Sequence, residues 1–278
     1  SDIMNIQKIL DAFPLPAKHG KLSDIDKDAT EKAIETIIAN PAEAAKALAD
    51  KLKDPSTEGS DIQARHAMHA TAIRIPVVDR SARKVYAEAL AASLADKRPD
   101  RVKGFIIRQL QVCGGKEVVS AIGKFLTTGG LADDAAQALL AIKDGAIDEF
   151  RVALKKSKGD GKLRQNSLHG LAQLSDKSST PEFIKALSDK DEDTRLLGLW
   201  GLSQVADPKT LEPFLAADKK ETGYARNQSA HLGFKFAEKL SKKDASKVYK
   251  HIIETRKATT EKHLVELAKA ALNWNNTR

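Results

Sequence analysis

One block of sequence returns about every thirty residues, and this return constrains the fold more than any single residue does. The stretch DTRLLGLWGLSQVADPKTLEPFL overlays GKLRQNSLHGLAQLSDKSSTPEFIKAL without a gap. With Arg195 as the second residue of a twelve-residue window, the equivalents are Arg226 downstream and Arg164, Ala132 and Lys103 upstream, at spacings of 31, 31, 32 and 29. Self-similarity at such a period marks short supersecondary units that bury their apolar faces only by stacking on one another. Stacking adds core linearly, so a chain of 278 residues has no need to divide into globules. The expectation is one domain over 1–278, with an N-terminal helical cap at 1–40 and repeats over 41–278.

Apolar spacing and the Asp, Ser, Thr, Gly and Pro residues between periodic runs predict pairs of helices. First members (A) are expected at 41–52, 80–96, 116–126, 146–156, 181–187, 208–215 and 243–257. Second members (B) are expected at 61–75, 99–113, 131–142, 162–174, 192–205, 223–239 and 261–274. Helices at 3–13 and 29–40, joined through Pro14, Pro16 and Gly20, form the cap. A turn at Pro76 and a long helix at 80–96 take up the wider gap, 38 residues, between Arg65 and Lys103. Pro181 and Pro208 sit at helix starts, where a missing amide is harmless. Gly114, Gly115, Gly129 and Gly130 read as left-handed helix terminators. Aromatic residues are 5% of the chain, and almost no strand is expected. The fold class is therefore all-α, with about seven helix pairs plus the cap.

The block DEDTRLLGLWGLSQVADPKTLEPFL resembles a HEAT repeat of the short type found in phycobilin lyases and many bacterial proteins. An acidic turn, Asp191, Glu192 and Asp193, precedes Arg195; Gly198 and Leu202 follow, and Asp207 with Pro208 opens the next pair. The likeness is strong over 100–240 and thin elsewhere, and Ala132 and Lys103 interrupt the arginine series. It implies a right-handed α–α superhelix, an armadillo-type solenoid, with the B helices lining its concave side.

Within the aligned B windows, positions 5, 9 and 12 form one core stripe. Position 9 is Leu110, Leu139, Leu171, Leu202 and Gly233; position 12 is Cys113, Ile142, Leu174, Val205 and Phe236. Small residues at position 5, among them Ser167, Gly198 and Ser229, let neighbouring helices approach. Cys113 thus reads as a small buried hydrophobe. Positions 4, 7 and 11 share another face, which carries Arg108, Gln137, Asn166, His169, Gln173, Trp200, Gln204, Gln228, His231 and Lys235. So many polar groups would each need an internal partner if buried, so this face is expected to be open, with an exposed Trp200 in a polar groove that binds a protein or peptide. Arg164, Arg195 and Arg226 lie elsewhere on the helix and are expected to bind acids or carbonyls of adjacent turns, such as Asp160, Asp191 or Asp193.

The net charge of +8 permits an acidic partner, and nucleic acid is the alternative ligand. The lysines, however, scatter over A helices and turns, as at Lys155, Lys156, Lys158, Lys219, Lys220, Lys242 and Lys243. A structural module of a larger chain is a further alternative. His66 and His69 lack third and fourth ligands, Asp133, Asp134, Asp191 and Asp193 stand at helix starts as caps, and no nucleotide or nucleophile motif occurs. No catalytic group, metal or cofactor is expected. One cysteine permits no internal disulfide, and no apolar run approaches the roughly 20 residues of a membrane span. The opening SDIMNIQ fits a piece of a longer chain or a mature chain freed of its signal peptide, which leaves cytoplasm and export both open.

Overall fold

The computed structural model describes residues 4–15, 26–54 and 61–278. Among them are sixteen α-helices and four short 3-10 turns, and no strand. The protein is an all-α solenoid of paired helices. Contacts group the chain into two compact units, 1–157 and 158–278. No helix of the described residues is long and apolar enough to cross a membrane.

The first unit begins with α1 (Ile6–Asp11) and α2 (Lys27–Ala39). Asp26 caps α2 through the Ala29 amide, and the Thr30 hydroxyl donates to the Ala12 carbonyl, tying the two cap helices. Pro16 and Gly20 of the expected joint lie outside the described residues. First members follow as α3 (Pro41–Lys51), α5 (Arg80–Ala92), α7 (Val119–Gly123) and α9 (Ala146–Lys156); second members are α4 (Ile62–Val78), α6 (Asp100–Cys113) and α8 (Ala132–Ile142). Helices α4, α6 and α8 pack side by side, as do α3 and α5, and α7 and α9. Met68, Ile75, Tyr86, Leu90, Ile106 and Leu110 are fully buried between these layers.

The second unit holds α10 (Gly161–Gln173), α12 (Glu192–Val205), α14 (Gly223–Glu238) and α16 (Lys262–Thr277) as second members. Its first members are α11 (Thr180–Ala186), α13 (Leu211–Lys220) and α15 (Lys242–Thr255). Here α12 packs on α10, α11 and α14, and α15 packs on α14 and α16. The core stripe is where the repeat places it: Leu171, Leu202, Phe236, Ser167, Gly198 and Ser229 are buried, while Leu174 and Val205 are half-buried at the helix ends. Gly198 and Gly201 bring α11 close. A Cβ on Gly198 would lie 2.7 Å from the Phe183 carbonyl oxygen, and one on Gly201 2.5 Å from the Phe183 ring.

Local expectations fail at three places. The turn at Pro76 does not form; α4 runs through it to Val78, and the Asp79 amide closes the last turn on Ile75. Pro76 removes one amide from the ladder and crowds the carbonyl four residues before it, and only two helical residues, Val77 and Val78, follow it; the added helix, with α5 extended by the 3-10 turn Ser93–Ala95, fills the 38-residue gap. Gly114 caps α6 with an extended backbone at φ −76°, and neither Gly115, Gly129 nor Gly130 has positive φ; the non-glycine residues with positive φ at or just beyond the B-helix ends are Ser175 and Ala206, and Lys143 at the centre of a γ-turn closed by the Asp144 amide on the Ile142 carbonyl. Finally, 3-10 turns at Lys116–Val118 and Pro208–Thr210 precede α7 and α13, so those helices start three residues late.

Candidate functional site

A groove of about 670 Å³ crosses α10, α12 and α14 on the face turned away from α11 and α13. Its lining combines Asn166, His169, Trp200 and Gln228, all expected from the sequence, with Gln165, Asp193, Leu196, Leu197, Tyr224 and Leu232. Three helix starts position it. Asp160 and Asp191 cap α10 and α12 by accepting from the Leu163 and Thr194 amides, and Gly223, at φ +57°, begins α14 just before Tyr224.

Trp200 is half-buried rather than exposed, because the His169 ring lies against it, with centroids 5.0 Å apart and planes tilted by 46°. Burial pushes the His169 imidazole below its ordinary pKa, so at neutral pH it is an uncharged partner for the indole. Gln165 anchors the rim by donating to Asp191 at 2.7 Å. Tyr224 stands 67% exposed at one edge. None of the lining residues is Lys or Arg, and Asp193 is the one carboxylate among them. Nothing in this arrangement pairs a nucleophile with a base. It offers two aromatic side chains, leucine surface and side-chain amides.

The other expected site residues are placed elsewhere. Arg108 and Gln137 belong to the first unit, where Arg108 is half-exposed and pairs with Asp134 at 3.2 Å. Gln204 donates to the Ala172 carbonyl at 3.4 Å, and Gln173 and Lys235 are exposed outside the groove lining. His231 faces Phe234 and His263, each ring centroid 6.4 Å away. Sequence reasoning missed Asp193 and Tyr224, although they occupy the same place in consecutive repeats, one helical turn before position 4. Extending the polar stripe back by that turn finds both.

The arginine series binds acids and carbonyls of adjacent turns, as expected, with Arg195 donating to the Asp189 and Lys190 carbonyls and Arg226 to that of Thr255, but the acids are not Asp160, Asp191 or Asp193. Arg164 meets Asp189 at 2.5 Å, Arg195 meets Glu221 at 2.7 Å and Arg226 meets Glu261 at 2.9 Å. Each guanidinium reaches forward to the acid near the start of the next B helix, while Asp160 and Asp191 are occupied as caps. His69 is held by Gln109 at 2.8 Å. Among the described residues no group of three or more His, Cys, Asp or Glu side chains is arranged to hold a metal. Cys113 is buried, and that burial pushes its thiol up to about 12, so it is inert at neutral pH.

A polar cluster outside the groove had no sequence signature. The Asp218 carboxylate on α13 accepts from Arg256 at 2.6 and 2.7 Å, approaches His251 Nε2 on α15 at 2.6 Å, and accepts from the Ser229 hydroxyl on α14. Burial alone would raise its pKa, but these hydrogen bonds outweigh it and hold the carboxyl well below its usual range.

No curated protein matches the chain. Among solved structures it is similar to an engineered protein, at 15% identity and a TM-score of 0.32, over 99% of this chain and 98% of that one. It is also similar to a structure of the complex of CpcE and CpcF of phycocyanin lyase from Nostoc sp. PCC7120, at 13% identity and a TM-score of 0.33, over 99% of this chain and 96% of that one. Residues 147–232, the stretch from α9 into α14 within which every lining residue of the groove falls, match the family model of HEAT repeats.

Proposed function

We propose that this protein is a noncatalytic scaffold that holds a protein or peptide segment in the groove across α10, α12 and α14. The observation that carries this reading is the lining itself: a half-buried tryptophan among amides and leucines, with no Lys or Arg, in a chain of net charge +8. Tryptophan in a partly desolvated pocket is where binding energy concentrates, and the groove's volume lies within the roughly 300–1,000 Å³ usual for ligand sites. The three helices span about 20 Å at 8–10 Å spacing, the reach of about six extended residues at 3.3 Å each. Nucleic acid fits this surface poorly, because its affinity comes from cations that neutralise phosphates.

The test is selection of a displayed random dodecapeptide library on the immobilised full chain and on the Trp200→Ala variant. Wild type is expected to enrich a family of related peptides, and the variant to bind them about 30-fold more weakly, equivalent to about 2 kcal/mol, with an unchanged helical circular dichroism melt. Equal binding by both proteins, or no enriched family on wild type, would overturn the reading. A labelled single-stranded oligonucleotide whose binding falls steeply with salt and survives Trp200→Ala would move the ligand to the lysine-bearing surfaces.

A further inference from the structure

We infer that the groove is selective for a cationic side chain, a Lys or Arg of an extended peptide, held against Tyr224 with Asp193 as its counter-ion, while Trp200 packs the rest of the peptide. This rests on the reading of the groove as a peptide site and specifies the peptide. The inference starts from what Asp193 lacks. Four acids near the starts of second-member helices are engaged, Asp134 by Arg108, Asp189 by Arg164, Glu221 by Arg195 and Glu261 by Arg226, while Glu192 and Asp100 form no ion pair among the described residues but do not line the groove. Asp160 and Asp191 cap their own helices. Asp193 has no hydrogen bond or ion pair among the described residues, is exposed, and lines the groove.

Tyr224 occupies the position of Asp193 one repeat later, on the adjacent helix, and its ring is the most exposed aromatic surface of the groove. Trp200 lies two turns along α12 from Asp193, on the same side, since residues seven apart share a helix face. A cation entering here meets a lining that has one carboxylate, Tyr224 and Trp200, and no Lys or Arg. Aromatic faces attract Lys and especially Arg through the ring quadrupole. The amide of Gln228 lies on α14 beside α12 and offers both donors and an acceptor to the peptide backbone. The chain's overall positive charge opposes a cation at long range, but at 0.15 M salt that field is screened beyond about 8 Å, and the local groups decide.

The probes are four fluorescein-labelled heptapeptide pools, with Lys, Arg, Glu or norleucine fixed at the centre and an equimolar mixture of Gly, Ala, Ser and Leu at the other positions. Each is titrated with the full chain and read by fluorescence anisotropy. The Lys and Arg pools are expected to bind about threefold to tenfold more tightly than the norleucine pool, and the Glu pool most weakly. Asp193→Asn narrows that difference and Asp193→Lys inverts it in favour of Glu. Tyr224→Ala, at an exposed position that leaves the fold intact, lowers the Lys and Arg pools selectively. Trp200→Ala lowers all four. If the four pools bind wild type alike while Trp200→Ala weakens every one, the cation inference fails and the peptide groove stands. If no pool binds, or Trp200→Ala changes none, both fail.

Discussion

Asp218 is buried to 1% exposure and carries a charge because three side chains supply what water would. Removing it takes the closest counter-charge from the wholly buried Arg256 guanidinium, leaving the Arg226 carbonyl, the Thr255 hydroxyl and Glu261 at 3.8 Å, so Asp218→Ala is expected to lose about 3–5 kcal/mol, the usual effect of breaking a buried pair, measured by urea titration. Its pH dependence follows from the lowered carboxyl. As pH falls below about 4, the unfolded chain takes up the Asp218 proton first. The stabilisation is complete above that pH and lost on the way down toward the folded value. Wild type should therefore lose stability in acid more steeply than Asp218→Asn, and parallel acid curves would contradict this. His169 has the opposite charge type but the same direction. With its folded pKa lowered by burial, the unfolded chain protonates first below about pH 6.5. Its contribution is full above that pH and declines as the pH falls toward the folded value. Protonated His169 also places a positive charge in the groove, so a Lys-centred peptide is expected to bind more weakly as the pH falls through that folded value, a decline that His169→Gln abolishes. Legibility at this scale tracked periodicity. His169, Trp200 and Gln228 lie on a repeating stripe and were readable; the Asp218 cluster joins residues 11, 33 and 38 positions apart on three helices, with no period to betray it.

At the scale of the element, the repeat dictated helix positions because each second-member helix satisfies two demands at once, a buried stripe and a close approach. Gly201 answers the second demand, standing where the Phe183 ring of α11 leaves no room for a methyl group. Alanine there gains up to about 1 kcal/mol of helix propensity and incurs about 1–3 kcal/mol of overpacking. Gly201→Ala is thus expected to destabilise the protein by about 1–2 kcal/mol, and a rise in melting temperature would refute this account of α11–α12 packing. The same logic explains which boundaries were illegible. Positive-φ residues at the helix ends fell on Ser175 and Ala206 rather than on glycine, because a backbone stapled by tertiary packing tolerates the modest penalty that composition-based reading takes as prohibitive. At Pro76 the fault ran the other way: proline was read as a stop, yet α4 needs only three more residues to meet Asp79.

For the whole molecule, each of the two units carries its own buried side chains, from Leu48, Met68 and Tyr86 in residues 1–157 to Phe183, Phe214 and Phe236 in 158–278. Each span expressed alone is expected to give a helical spectrum and a cooperative melt; an unfolded 158–278 would tie the groove's integrity to the rest of the chain. The forward-reaching arginines have a consequence for how such a chain changes length. From α10 to α14, each second-member helix extends one positive hand to an acid near the start of its successor, Arg164 to Asp189, Arg195 to Glu221 and Arg226 to Glu261. Excising or duplicating one period returns every hand to an equivalent grip, so the array grows and shrinks like a row of links that all fasten the same way.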